Sequence, residues 1–406
     1  MSKATGDPGS GRADSLDEIK PLIDMCRAGR LFAVQEWIAE GKPVNPPPFP
    51  RRSNHARAPL DIAVESGFHS LVAVLLKCGA EIDLDGWNGT MARVLRARRF
   101  DFVQLLVEHG YDPKQIDMKV VFNTWDPAMM EYFIDKGADV ETGNPLAWAF
   151  CNRIRTALRI FKRYQKRFST FPEQANIALR YHCKEGNLKW VSLLLWAGAD
   201  PYAPGPSSHD EMRDSYDEGL SALGFAVLYE HFDILKLKQV KLDPNHPRIR
   251  DMLKYADRGE GIDLLKQLLE KGLNPNDQEN GGSSIIQRLL CGLEMDFSSY
   301  SWHQRNGRDK IDSTKARDKI KAIHLLVKHG ARWVPQDKNE IKRARKSLLK
   351  LTADYTIEFI WIMAKYASCV KECIRELIAT PSMKSHLSRN RPRVQEILET
   401  WPGDGD

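Results

Sequence analysis

Residues 58–83, APLDIAVESGFHSLVAVLLKCGAEID, limit the possible folds more than any other stretch of the chain. Pro59 suits the first turn of a helix, where a backbone N–H has no intrahelical partner to lose. Leu60, Ala63 and Val64 then recur at helical spacing on one face. Gly67 predicts the end of that helix, because glycine takes a left-handed conformation without a Cβ penalty. Leu71, Val72, Leu75 and Leu76 form the apolar stripe of a second helix, which Gly79 ends, and residues 80–83 lead out in an extended turn. Two helices this short cannot bury their apolar faces alone, so they must stack on copies of themselves.

The copies are there. The ending Leu75-Leu76-Lys77-Cys78-Gly79 returns in altered form at 106–110, 133–137, 194–198, 268–272 and 326–330. Gly79 to Gly110 is 31 residues and Gly110 to Gly137 is 27. The interval from Gly137 to Gly198 is 61, room for one more unit. Asn144-Pro145-Leu146-Ala147 opens that unit, and Ile154, Leu158 and Phe161 mark its second helix. A further unit between Gly198 and Gly272 begins at Gly219-Leu220-Ser221-Ala222 and ends near Asp243-Pro244-Asn245. Upstream, Leu16, Ile19, Leu22, Ile23 and Cys26, then Gly29, then Leu31, Val34, Trp37 and Ile38, make a first unit.

Alanine-proline-leucine at 58–60, glycine between the helices, and Leu75-Leu76-x-x-Gly79-Ala80 at the close resemble the ankyrin repeat. Asp61 departs from it, standing where histidine is usual, and most first helices lack the Thr-Pro opening. The resemblance implies an all-α, ankyrin-like helical-repeat solenoid of about nine repeats over 15–335. It also implies a concave groove lined by turn tips and first-helix faces, where a protein partner docks. On that register Asp85, Trp87, Arg93, Arg96, Glu141 and Tyr202 project into the groove. Of the aromatic residues beside turns, Trp125 is expected to pack between repeats, while Trp87 and Tyr202 are expected to be exposed.

Outside the array, residues 1–14 read as a disordered Gly/Ser/Asp-rich tail. Inserted loops are expected near 43–57, 201–218 and 294–319, either functional or disordered. Beyond 335 the signature is lost but helical spacing continues. Ile357, Ile360, Trp361 and Ala364 belong to a segment apolar nearly all round, which predicts burial. Residues 336–388 are therefore expected to form a C-terminal helical cap, and 389–406 a tail whose short helix starts at Pro392.

A net charge of +6 over 406 residues is too dilute to imply nucleic acid by itself. Seven scattered cysteines without a CxxC pair point to reduced, buried thiols. Together with the lack of a secretory signal pattern or a long apolar run, they lead us to expect a cytoplasmic protein without a membrane span. His324 and His329 are five apart, and Cys369 and Cys373 lack a histidine at ligand spacing, so no metal or other cofactor is expected. Neither G-x-S-x-G nor HExxH occurs, and no catalytic residue is assigned. One charge feature stands out: residues 151–168, where Arg155, Arg159, Lys162, Arg163 and Lys166 form a basic stripe. The expected function is a non-catalytic scaffold or adaptor for a protein partner. The alternative is a regulatory subunit that also contacts nucleic acid through that stripe.

Overall fold

A computed structural model of the chain describes residues 11–48, 58–85, 87–208, 219–253, 259–276, 313–332, 353–366 and 371–400, with a few single positions between. The fold is all-α. The two isolated bridges, Arg12 with Asn45 and Pro204 with Ser221, are the only extended pairings among the described residues. The insertion expected at 294–319 lies mostly outside the described residues, as do residues 1–10, 49–57 and 209–218.

The chain divides into two compact units, Met1–Ala178 and Leu179–Asp406. The first unit holds five helix pairs: α1 (Leu16–Arg27) and α2 (Leu31–Ala39), α3 (Pro59–Ser66) and α4 (His69–Lys77), α5 (Thr90–Arg96) and α6 (Phe100–Glu108), α7 (Met118–Phe122) and α8 (Pro127–Asp135), α9 (Pro145–Cys151) and α10 (Ala157–Tyr164). First helices pack side by side in the order α1, α3, α5, α7, α9, and second helices α2, α4 and α6, then α8 and α10, form the other layer. Phe102, Phe122, Phe133, Phe150 and Phe161 are fully buried between the layers, each contributing about 2–3 kcal/mol of apolar burial. Helix α11 (Phe171–Lys184) crosses the division.

The second unit continues with α12 (Leu188–Ala197), α13 (Ala222–Leu228), a 3-10 turn (Phe232–Lys236), α14 (Ile249–Leu253), α15 (Glu260–Glu270) and α16 (Ser313–Lys328). Then come α17 (Ala353–Tyr366), α18 (Lys371–Ala379), α19 (Pro381–His386) and α20 (Arg391–Glu399). Helix α17 packs against α16 on one side and α20 on another. It buries Ile357, Phe359, Ile360, Ile362 and Met363. Trp361, expected to be buried with them, is 42% exposed. It faces outward between His324 and the Lys365 ammonium.

One local device recurs where first helices turn into second ones. The turn residue takes a positive φ, its N–H bonds back three residues, and the next N–H bonds back five, except after Trp125, where Asp126 N bonds Thr124 Oγ1 instead. At Gly67 these bonds run to Val64 O at 3.1 Å and, from Phe68, to Ala63 O at 3.3 Å. In the first unit the turn residues are Gly29, Gly67, Arg98, Trp125 and Arg153; in the second, Gly186 and Glu230. Glycine is at home there, whereas a residue with a Cβ is held at a cost of about 1–2 kcal/mol. Two of the glycines have a second constraint. A Cβ on Gly29 would lie 2.6 Å from the Phe68 ring, and one on Gly186 2.6 Å from the His231 ring.

Polar side chains tie each repeat to the next. Asn45 donates through Nδ2 to Gly79 O at 2.9 Å and accepts from Glu81 N at 2.8 Å. Its carbonyl accepts from Ala13 N at 2.9 Å, so residues 11–13 are held against the array. In the second unit Asn276 repeats the arrangement on Gly330 O, 2.7 Å, and Arg332 N, 2.6 Å. Gln174, fully buried, serves the N-terminus of α9, whose own N-cap residue Asn144 makes no side-chain cap. Its Oε1 accepts from Leu146 N at 2.8 Å and Ala147 N at 3.3 Å, while Nε2 donates to Val140 O at 2.9 Å and Thr170 Oγ1 at 3.1 Å. Replacing it with leucine leaves buried backbone groups without partners. We expect Gln174→Leu to destabilise the chain by about 2–3 kcal/mol in urea unfolding; an unchanged midpoint would mean that water takes over the bonds.

Candidate interaction surface

The loop between the second and third repeats closes on itself. Asp83 O accepts from Thr90 N at 3.1 Å, and Asp83 N donates to Thr90 Oγ1 at 3.1 Å. The Asp85 carboxylate accepts from the N–H groups of Trp87 and Asn88, both at 3.1 Å. Gly89 donates to Asp85 O at 2.8 Å, and a Cβ there would stand 2.5 Å from the carbonyl oxygens of Asp83 and Asp85. Only glycine fits so close an approach. The result is a braced loop that holds two apolar side chains in solvent, Leu84 at 61% and Trp87 at 44% exposure.

Trp87 and Asn88, with Leu95, Arg96 and Arg98 from the third repeat and Val120, Asn123 and Thr124 from the fourth, line a pocket of about 310 Å³. Trp87 also meets Trp148 of α9 edge-on, ring centroids 6.0 Å apart. Arg96 is fixed by donating to Ala92 O at 3.2 Å and Trp87 O at 3.4 Å.

Beneath the loop lies a buried carboxylate. Thr90 Oγ1 donates to Asp61 Oδ1 at 2.8 Å, tying α5 to α3. Arg93 Nε stands 3.8 Å from the same oxygen, and Arg93 Nη1 bonds Glu65 at 2.7 Å. Burial pushes the Asp61 carboxyl above its usual range, opposed by the Thr90 bond and the Arg93 charge. The folded chain therefore keeps this proton at pH values where the unfolded chain has released it. Stability from this group is greatest below the ordinary carboxylate value and falls as pH rises through the raised one. Asp61→Asn keeps an acceptor for Thr90 and removes the buried charge. Urea unfolding followed upward in pH from the ordinary carboxylate value should lose this downward slope in the variant, with stability at neutral pH equal to or above that of the parent. A large loss at neutral pH would show that the charge itself is needed.

No protein-family model matches the chain. An ankyrin repeat and KH domain-containing protein of Caenorhabditis briggsae is 28% identical over 234 residues, covering 53% of this chain. This chain is similar to ankyrin-repeat proteins. The match spans 8% of that relative's length. Among solved structures, the human ASB11 ankyrin repeat domain covers 57% of this chain and 96% of its own, with 16% identity and a TM-score of 0.35. The ankyrin repeat domain of Bcl-3 covers 66% and 92%, with 17% identity and a TM-score of 0.29.

The residues expected from sequence to line the groove divide into several kinds. Trp87 and Arg96 line the pocket, and Asp85 shapes the loop that carries Trp87. Arg93 is turned inward to Asp61 and Glu65. Glu141 and Tyr202 each sit four residues after a turn glycine, the position Asn45 and Asn276 use as a bracket. Glu141 Oε1 accepts from Thr170 N at 3.3 Å and Thr170 Oγ1 at 3.2 Å. Tyr202, expected to be exposed, is half-buried against His246, with ring centroids 3.9 Å apart. Its hydroxyl donates to Lys241 O at 2.9 Å and accepts from Asp243 N at 3.3 Å, again a carbonyl and the N–H two residues on. Trp125, expected to be packed, is 43% exposed because its left-handed backbone turns it out of the stack.

The basic stripe is shorter than its spacing suggests, because α10 starts after Arg155 and ends before Lys166. Arg159 and Arg163 both reach Glu131 of α8, at 3.2 and 2.7 Å, and Arg167 reaches Asp135 at 3.3 Å. Burial raises the thiols of Cys26 and Cys151 to about 12, which leaves them unreactive. Among the described residues no three His, Cys, Asp or Glu side chains converge as metal ligands, and no helix is long and apolar enough to cross a membrane. Sequence reasoning missed Leu84, Arg98, Asn123 and Trp148. Arg98 left a trace, standing where the first two repeats carry glycine.

Losing the Tyr202 hydroxyl should behave as the loss of a bracket. Tyr202→Phe keeps the stack on His246 and should lower stability by about 0.5–1.5 kcal/mol in thermal unfolding. No change in stability would remove the bracket from the account.

Proposed function

We propose that the chain is a non-catalytic scaffold or adaptor that holds a protein partner on the groove beside loop 83–89. Ankyrin repeats are in general protein-interaction modules, and the observation that carries the reading here is Trp87. It is an exposed tryptophan on a loop held in shape by its own hydrogen bonds, at the rim of a pocket made by two neighbouring repeats. Aromatic anchors of that kind dominate interface energies, and a braced loop loses little entropy on binding. Catalysis has no comparable support, since the buried thiols and the paired carboxylate Asp61 do not meet in a cleft. Nucleic acid through residues 155–166 is also less well supported, because Glu131 and Asp135 already answer three of the neighbouring arginines.

Trp87→Ala should weaken capture of a partner, once isolated by cross-linking and mass spectrometry, by about 1–3 kcal/mol with an unchanged melting temperature. Full retention of affinity would remove the groove from consideration. Tight binding of mixed-sequence RNA with steep salt dependence would favour the basic stripe instead.

A further inference from the structure

The left-handed turn position is occupied in succession by Gly29, Gly67, Arg98, Trp125 and Arg153 in the first unit. Glycine makes this turn without strain, yet three consecutive repeats hold it with bulky side chains. All three are exposed, so packing does not account for them. No carboxylate among the described residues lies within ion-pair distance of Arg98 or Arg153. Five nearby arginines are matched, Arg93 to Glu65, Arg99 to Asp101, Arg159 and Arg163 to Glu131, and Arg167 to Asp135, whereas Arg96 bonds only backbone carbonyls and no ion pair is seen for Arg155 among the described residues. Unmatched charge and backbone strain thus coincide on one row, and its first member, Arg98, also lines the Trp87 pocket.

We propose that Arg98, Trp125 and Arg153 form a docking edge for an extended acidic segment of the partner protein. This rests on the groove reading above and adds the partner's chemistry to it. The three residues occupy the same turn in adjacent repeats, and packed neighbouring helices stand about 8–10 Å apart. The row therefore spans about 20 Å, the reach of about six residues of extended chain. The fitting segment carries two carboxylates about six residues apart, with an apolar side chain between them to lie on the Trp125 indole. Asp126, which follows Trp125 and caps α8, adds a carboxylate at this turn of the row. Discrete acidic side chains can straddle it, whereas a continuous phosphate chain would be repelled there.

The test pans a phage-displayed library of random peptides on the full parent chain and on two variants, Trp125→Gly with Arg153→Gly, and Trp87→Ala. The double glycine variant leaves every pocket-lining residue in place and relieves strain, so its melting temperature should be unchanged or raised. The parent should enrich peptides with Asp or Glu at the stated spacing. A synthetic peptide of that consensus should bind the double variant at least about tenfold more weakly by fluorescence anisotropy. Neutral or basic consensus sequences, equal binding by the double variant, or mixed-sequence RNA displacing the peptide would overturn the proposal. Peptides that depend on Trp87 but not on Trp125 and Arg153 would leave the groove reading standing and remove the edge. Failure to enrich any sequence would remove both.

Discussion

Polar contacts between neighbouring repeats carry much of what the apolar stripes cannot. A short helix leaves its first N–H groups without partners, and α9 has no cap of its own, so Gln174 from the following repeat closes it. Asn45, Tyr202 and Asn276 do related work, each bonding a carbonyl and the N–H two residues further on in the neighbouring turn. Apolar stacking alone would allow two repeats to slide along their shared face. The brackets fix the register, because each matches one donor and one acceptor at a single place. Stability in such an array is set by each repeat and its immediate neighbours, and these bonds are the sequence-specific part of the neighbour term.

The same contacts explain how the loop at 83–89 comes to be useful. Thr90 accepts from Asp83 and donates to Asp61, so one hydroxyl links the loop, the start of α5 and the helix before it. A carboxylate at Asp61 instead of the more usual histidine makes the linkage anionic and calls in Arg93. The groove above is thereby built on a fixed floor, and Trp87 is presented without a large ordering cost.

Much of this was legible in the sequence. Helical spacing, glycine punctuation and the recurring Leu-Leu-x-x-Gly ending specify the paired helices, and Pro59, Pro145 and Pro392 stand at helix starts. Side-chain roles were harder to read, for a physical reason. Four residues after a turn glycine, Asn45, Tyr202 and Asn276 share no composition but share a bonding geometry, while Glu141 at the same position only accepts. Tyr202 therefore looked like an interface anchor, and Glu141 like a groove charge. Trp125 and Trp361 failed in the opposite sense, since apolar character predicts burial on average while backbone conformation decides it for one residue. The basic run at 151–168 looked uncompensated because its carboxylates, Glu131 and Asp135, lie one repeat earlier and meet it only in the folded stack.

The helix-to-helix turns have a further consequence. In a globular core, changing one side chain disturbs many neighbours, so surface chemistry is hard to rewrite without retuning the interior. Here the left-handed position recurs once per repeat, and its energetic penalty is confined to one residue. Where an aromatic ring presses on the glycine, as Phe68 does on Gly29 and His231 on Gly186, the slot is locked. Where it does not, the slot is free to vary. The array thus behaves like a line of type with some characters cast and others movable, so recognition can drift one letter at a time while the scaffold beneath stays the same.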